Sequence, residues 1–349
     1  MKLGTTKIKT KEEIVSSIKK IKVYQNEYFK KTSFKQRIEV LKTIKHFILN
    51  NQDLICKISS RDTGKTLLDS TFGEIIPTLE KLNWTIKNGE SCLKTSKRDS
   101  VGVMGLIVSW NYPFHNVISP LISALMAGNG LAVKCSEHTC FTTEFLSPDL
   151  VVFIDGFAEA GETLIENVDK VTFIGSPNVG KLVMEKASKT LTPVILELGG
   201  KDAAIIFDDC DYSNMLKICL RGALQNAGQN CAGLERMIVQ DTIYDQLVAD
   251  MSETLSSLRV GSPFEEGVVD IGAITMKNQL SIIQILVDDA VNKGAKVLVG
   301  GTPYINPKYP SGQYYTPTLI TGVTKEMKLY TEEVFGPVIL LFKFKTEKE

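Results

Sequence analysis

The feature that most restricts the fold of this chain is a change of hydrophobic period near residue 102. Beyond it, short unbroken apolar runs alternate with stretches of helical spacing. Residues 102–108 (Gly-Val-Met-Gly-Leu-Ile-Val) read as a buried strand. Trp110-Asn111-Tyr112-Pro113 breaks the run, and Ile118, Leu121, Ile122 and Leu125 then recur at helical spacing up to Gly128. Residues 131–134 form a second strand and complete a βαβ unit. Further strands are predicted at 150–154, 170–174, 194–198 and 203–207, with helical stretches between most of them. Continuous apolar strands alternating with helices predict a parallel sheet covered on both faces.

Past Phe207 a second cycle begins. It contains helices at about 211–226, 244–258 and 279–292, and strands at 236–240, 296–299, 314–321 and 338–342. The fold class predicted is therefore α/β: a doubly wound parallel-sheet domain followed by a second α/β domain. With 349 residues, 43% of them hydrophobic, there is material for two cores. The boundary is placed at Gly199-Gly200, giving domains 1–198 and 199–349.

Ahead of the first strand the pattern is helical. Ile14, Ile18, Ile21 and Tyr28 mark one inward stripe. Ser33-Phe34-Lys35-Gln36 reads as a capping box opening a second helix with Ile38, Leu41, Ile44 and Ile48 inward. A third helix is expected from Asp53 to about Asp62, and a fourth over about 69–88, with Pro77 as a kink. Gly64-Lys65-Thr66 suggests a phosphate loop. That loop would need glycine at position 59, where Ser59 stands, and a preceding strand, which is lacking.

Lys+Arg and Asp+Glu balance at 40 each, so overall charge does not point to nucleic acid. Residues 1–50 carry 13 Lys/Arg against 4 Asp/Glu, a pattern typical of solvated helix faces. Seven scattered cysteines without a CxxC pattern predict reduced thiols and a cytoplasmic protein. The three histidines do not combine with cysteines at metal-ligand spacing, so no metal is expected. No signal peptide and no apolar run of membrane-spanning length is predicted.

Two stretches carry the chemistry. Glu197, in Leu196-Glu197-Leu198-Gly199-Gly200-Lys201, and Cys231, in Gly228-Gln229-Asn230-Cys231, stand 34 positions apart. A carboxylate and a thiol at the ends of buried elements suit thioester chemistry, one as base and one as nucleophile. Four other motifs accompany them in order: Ser109-Trp110-Asn111-Tyr112-Pro113-Phe114; Val133-Lys134-Cys135-Ser136-Glu137; Phe173-Ile174-Gly175-Ser176 with Gly180; and Glu332-Glu333-Val334-Phe335-Gly336-Pro337. Together the six motifs, in this sequence order, resemble the aldehyde dehydrogenase superfamily from about residue 11 onward.

The resemblance implies a role for each motif. Cys231 is the nucleophile, against the competing role of a buried structural cysteine. Asn111 and the backbone N–H of Cys231 receive the oxyanion, although an asparagine before Tyr-Pro also suits a plain turn. Glu197 is the general base, unless it only pairs with Lys201. Lys134 and Glu137 bind the adenine ribose. Gly175, Ser176 and Gly180 open a helix facing the pyrophosphate. Trp110 and Leu198 line the cofactor site, and Glu333 and Phe335 position the nicotinamide ribose and ring. A carboxylate at Glu137 accepts from a 2′-hydroxyl and repels a 2′-phosphate, so NAD is favoured over NADP. The substrate implied is a small-molecule aldehyde.

Against the family pattern the scaffold reads as shortened in four places. The leading strands, an extended arm reduced to 95–100, the crossover 135–149 with only a short helix at 139–146, and the segment after Pro337 all fall short. A homo-oligomer is possible, but the family's oligomerisation segments are missing. Two other functions remain open: a non-catalytic homologue acting as a binding or regulatory protein, and an acylating enzyme that passes the thioester to coenzyme A. A positioned Glu197 argues against the latter, because a base favours hydrolysis.

Overall fold

The computed structural model describes residues 7–96, 99–139, 142 and 151–349. It divides into two compact units, Met1–Asp62 with Ser70–Leu198 and Thr63–Asp69 with Gly199–Glu349. The chain therefore crosses into the second unit at Leu198/Gly199. It also lends that unit a short early segment that sequence reading had placed in the first.

The first unit begins with α1 (Lys11–Glu27), closed at its start by a capping box between Thr10 and Glu13. Tyr28 is not inward as the stripe suggested. The helix ends at Glu27, Tyr28 turns out to solvent and Phe29, in a 3₁₀ turn, is buried instead. The Ser33–Gln36 box does open α2 (Phe34–Thr63). This one 30-residue helix replaces the two predicted. Leu41, Ile48 and Ile55 stand seven apart and are all buried, so the polar run at 50–53 only faces solvent.

The fourth predicted helix is also subdivided. A short α3 (Leu67–Ser70) leads into a π-helical turn, Thr71–Ile75, and then α4 (Ile76–Ser96). Pro77 sits at the second position of α4, so the irregularity precedes it.

Strands β1 (Val103–Ile107), β2 (Gly130–Lys134), β3 (Val151–Ile154), β4 (Lys170–Gly175) and β5 (Val194–Leu198) form a parallel sheet in the order β3-β2-β1-β4-β5. Its alternation sorts side chains to two cores. Val103, Ala132, Ile154, Val171 and Phe173 pack with α1, α6 (Ala158–Asn167) and α7 (Pro177–Ser188). Leu106, Leu131, Val133 and Val151 pack on the other face with α2, α4 and α5 (His115–Met126). Both faces are filled over β1 and β2, as their continuous apolar runs require, whereas β5 is not the fully buried strand expected and leaves Ile195 and Glu197 exposed on one face. The strand order reverses between β1 and β4, and in such sheets ligands bind beyond the C-terminal strand ends at that point. The short helix expected at 139–146, and Leu150, lie largely outside the described residues. Thr142 is described, and its N–H and Oγ–H both donate to Asp62, at 2.9 and 2.7 Å.

In the second unit β6 (Ala203–Ile206), β7 (Arg236–Gln240), β8 (Lys296–Val299), β11 (Thr318–Thr321) and β12 (Val338–Phe344) form a sheet in the order β6-β7-β12-β11-β8. Within this five-stranded sheet only the β8–β11 pairing is antiparallel. The predicted strand 314–321 is split by Pro317 into β10 (Tyr314–Tyr315), which pairs with β9 (Pro303–Tyr304), and β11. A proline without an N–H suits such a break. Helices α8 (Tyr212–Leu224), α9 (Asp241–Ser257) and α10 (Lys277–Asn292) share one core with the sheet.

Segment Thr63–Asp69 is tied in by Ala273 N–H to Gly64 O (2.9 Å), Thr275 Oγ to Thr63 O (2.8 Å) and an Arg221–Asp69 ion pair (3.0 Å). Lys65 is fully buried, so Gly64-Lys65-Thr66 is a packing element and not a phosphate loop. No helix of the described residues is long and apolar enough to cross a membrane.

Candidate active site

Every candidate residue of the first unit lies at or just beyond a C-terminal strand end. Past β1 come Ser109, Trp110 and Asn111. Trp110 is half-buried, and Asn111 is only 2% exposed. The turn they form is held from below by the π-helical segment. A Cβ at Gly73 would collide with the Tyr112 ring, so glycine lets that ring seat. The fully buried Glu74 accepts from the His115 N–H (2.7 Å) at the start of α5 and from Ser59 Oγ (2.6 Å). A carboxylate at a helix N-terminus satisfies a donor that has no intrahelical partner.

Past β2, Lys134 and Glu137 form an ion pair at 2.8 Å. Burial pushes the Glu137 carboxyl up, but the hydrogen bond and charge of Lys134 outweigh it and hold it below the usual carboxylate range. Past β4, Ser176 is the N-cap of α7. Its Oγ accepts from the Val179 N–H, and Pro177 takes the first helical position. The helix start, Ser176 to Val179, is exposed. A Cβ at Gly180 would come within 2.9 Å of Leu198 Cδ2, so Gly180 lets α7 lie close against the end of β5. That same strand end carries Glu197, whose side is exposed, and Leu198.

In the second unit the cysteine loop follows an unusual turn. Asn226, Ala227 and Gly228 have φ of 56°, 53° and 73°. Left-handed backbone costs a non-glycine residue about 1–2 kcal/mol, and here it is retained at two buried positions. Gly228 is required for a further reason, since a Cβ there would collide with the carbonyl of Gly336. The loop is also pinned by Gln229. Its Nε2 donates to Asn226 O (2.9 Å) and Ala273 O (3.1 Å), and its Oε1 accepts from the Thr275 N–H (2.9 Å). Cys231 emerges from this clamp as a half-buried cysteine outside any disulfide.

Glu333 and Phe335 belong to the strand of chain that touches this loop at Gly336. Phe335 is also left-handed, with φ of 52°. Its N–H and that of Val334 both donate to Glu235, at 3.1 and 2.9 Å. Glu235 also holds an ion pair with Lys201, and both side chains are under 10% exposed. Burial pushes the Lys201 ammonium down, against the attraction of Glu235. Lys201 thus spends its charge on Glu235.

Burial and the nearby Glu235 charge push the Glu333 carboxyl up to about 7. It lies over Gly199, where a Cβ would collide with it. Sequence reading missed Glu235. The signal was there: Glu235, Met237 and Val239 alternate on the buried side of β7, and a carboxylate in that register demands a buried partner.

A doubly wound sheet with this strand order, and side chains gathered at its switch point, is the architecture of dinucleotide-binding oxidoreductases. The chain belongs to the aldehyde dehydrogenase family, whose sequence profile matches residues 1–349. An aldehyde dehydrogenase-like protein of Schizosaccharomyces pombe is 41% identical over 374 residues, covering 99% of this chain and 71% of that protein. One of Saccharomyces cerevisiae is 39% identical over 385 residues, covering 98% of this chain and 60% of that protein. The crystal structure of an NADP-dependent enzyme of E. coli superposes with a TM-score of 0.91 at 26% identity, covering all of this chain and 76% of that one. The chain thus spans about three fifths to three quarters of the length of these relatives.

Proposed function

We propose that the protein oxidises an aldehyde to a carboxylic acid with NAD, through a thioester on Cys231. The observation that most supports this is the cysteine loop. Its left-handed turn is kept despite its cost, and backbone strain that persists under such heavy clamping is characteristic of functional sites.

The residues at the C-terminal edge of the first sheet fit a dinucleotide. The exposed start of α7 offers backbone N–H groups and the positive end of a helix dipole to a pyrophosphate. Glu137, held ionised by Lys134, offers an acceptor to a ribose diol and repels a 2′-phosphate. This favours NAD, although the family as a whole uses NAD or NADP. Trp110 and Leu198 would line the same site, and Glu333 and Phe335 would orient the nicotinamide end.

In this reading the Cys231 thiolate adds to the aldehyde carbon. A C–S bond forms and the carbonyl electron pair moves to oxygen. Asn111 Nδ2 and the backbone N–H of Cys231 donate to that oxyanion, and losing such a donor costs about 10²–10³ in rate. NAD, when bound, supplies the hydride acceptor for the oxidation. On the resulting acyl thioester at Sγ, Glu197 takes a proton from water as the water adds to the acyl carbon. The carboxylic acid leaves and the thiol is restored.

The test is NADH formation by the purified protein with NAD and a panel of aldehydes. Cys231→Ser is expected to abolish it, and equal behaviour of the two proteins would refute the reading. Cooperative unfolding without NAD binding in calorimetry would instead favour a non-catalytic binding role. A product that requires coenzyme A would replace hydrolysis by acylation.

A further inference from the structure

We propose that Ser109 and Asn116 are positioning residues that lock the Asn111 side-chain amide with its oxygen inward and its Nδ2 outward. The proposal rests on the oxyanion role given to Asn111 and adds two residues to it. The three side chains close a ring. Ser109 Oγ–H donates to Asn111 Oδ1 at 2.7 Å. Asn116 Nδ2 donates to Asn111 Oδ1 at 3.2 Å and to Ser109 Oγ at 3.0 Å.

In the structure the three bonds run in one consistent direction. A carboxamide nitrogen only donates, so Asn116 spends its two N–H groups on the serine and on the Asn111 oxygen. The serine hydroxyl, having accepted one bond, points its own hydrogen at Asn111. Turning over Asn111 alone would set its Nδ2 against the Asn116 Nδ2, donor against donor, in a site where Asn111 is 2% and Asn116 8% exposed. Unsatisfied polar groups are costly at such burial. Turning both amides over together would keep the ring bonded, and Asn116→Asp, which still accepts from an Asn111 Nδ2, separates that arrangement by leaving kcat unchanged.

The frame behind the ring is rigid. Asn116 N–H donates to Tyr112 O at 2.9 Å, so the turn and the first residues of α5 are one hydrogen-bonded unit. Glu74 fixes the adjoining His115 N–H from the π-helical turn. The sequence feature behind this is the pair of positions flanking Asn111, a serine two residues before it and an asparagine five residues after.

The experiment uses the full chain with ¹⁵N-labelled asparagine side chains, and kinetics on variants whose melts match wild type. In wild type the Asn111 Nδ2 protons are expected to give only a weak NOE to the Asn116 Nδ2 protons, because the 3.2 Å bond runs to the Asn111 oxygen. A strong NOE between the two amides means the flipped orientation and overturns the proposal, whether or not the chain turns over substrate.

Asn116→Asp presents acceptors in place of donors and should turn the Asn111 oxygen outward. It is expected to lower kcat about 10²–10³-fold with little change in KM, the loss typical of a missing oxyanion donor. In an Asn111→Ala background the same change should cost nothing further. Ser109→Thr, which keeps the hydroxyl, should recover most of what Ser109→Ala loses. A full additional loss from Asn116→Asp in the Asn111→Ala background overturns the proposal. An unchanged kcat in Asn111→Ala alone refutes instead the oxyanion role, and the NOE result then still decides the orientation.

Discussion

Glu235→Gln isolates the charge that holds the second unit's site together. Glutamine keeps a carbonyl oxygen for the Val334 and Phe335 N–H groups and removes only the counter-charge of Lys201. Both side chains of the pair are under 10% exposed, so the ammonium is left buried without its hydrogen-bonded counter-charge, with only the weaker attraction of Glu333. Breaking a buried pair in this way costs about 3–5 kcal/mol. For a unit of this size 1 kcal/mol is worth about 2–4 °C, so a 4 kcal/mol loss lowers Tm by about 8–16 °C.

The loss has a pH signature. Unpaired, Lys201 has a lowered folded pKa, so the unfolded chain binds more protons and stability rises as pH rises. The deficit should therefore shrink toward alkaline pH. Lys201→Met with Glu235→Gln removes both charges and should recover at least half the loss, since an apolar replacement of a buried pair is often neutral.

The assay is thermal and urea unfolding by circular dichroism. Amide exchange at Val334 and Phe335 reports the segment locally, because both tryptophans, Trp84 and Trp110, lie in the first unit. A deficit below about 1 kcal/mol at pH 7, against the value expected for a buried pair, or a double variant as unstable as the single one, would refute the reasoning.

Three further outcomes follow from the same geometry. Ala227→Gly should stabilise the second unit by about 1 kcal/mol, because glycine carries no penalty at φ of 53°, while Ala227→Val should destabilise it; the urea midpoint decides. Glu333 has a folded pKa of about 7 against 4.5 for the ordinary carboxyl, so the folded state holds the proton more tightly. Stability should then fall as pH rises through that window, and Glu333→Gln should flatten the profile of Tm against pH. Glu137→Gln removes the charge that repels a 2′-phosphate, and the preference for NAD over NADP in kcat/KM should narrow about tenfold, the equivalent of 1.4 kcal/mol.

The sheet of the first unit was legible because β1 and β2 are buried on both faces. Leu106, Leu131 and Val133 belong to one core and Val103 and Ala132 to the other, so the runs are apolar without interruption. Strands 236–240 and 296–299 were read to the residue although they are not buried on both faces: β7 alternates buried and half-buried, and β8 is half exposed. The helices at the start were harder. A polar run such as Asn50-Asn51-Gln52-Asp53 reads as a break, although the seven-residue spacing of Leu41, Ile48 and Ile55 carries the helix through it. Nothing local separates Tyr28 from Phe29 as the inward ring, and nothing local sends Thr63–Asp69 to the second unit, because those choices are made by distant contacts.

The same division holds for the site. Residues at strand ends, such as Asn111, Lys134, Ser176 and Glu197, are readable from motifs on a legible sheet. The Lys201–Glu235–Val334 linkage joins three separated stretches, and the Ser109–Asn111–Asn116 ring depends on hydrogen-bond direction. Neither can be read from spacing alone.

The central claim is that Cys231 becomes acylated and that Glu197 releases the acyl group. It is tested most directly by intact mass and peptide mapping of Glu197→Gln after incubation with aldehyde and NAD. The account predicts one acyl adduct per chain, on the peptide carrying Cys231, persisting in the variant and clearing in wild type. No adduct on Cys231, or an adduct that clears equally fast in both proteins, would contradict it.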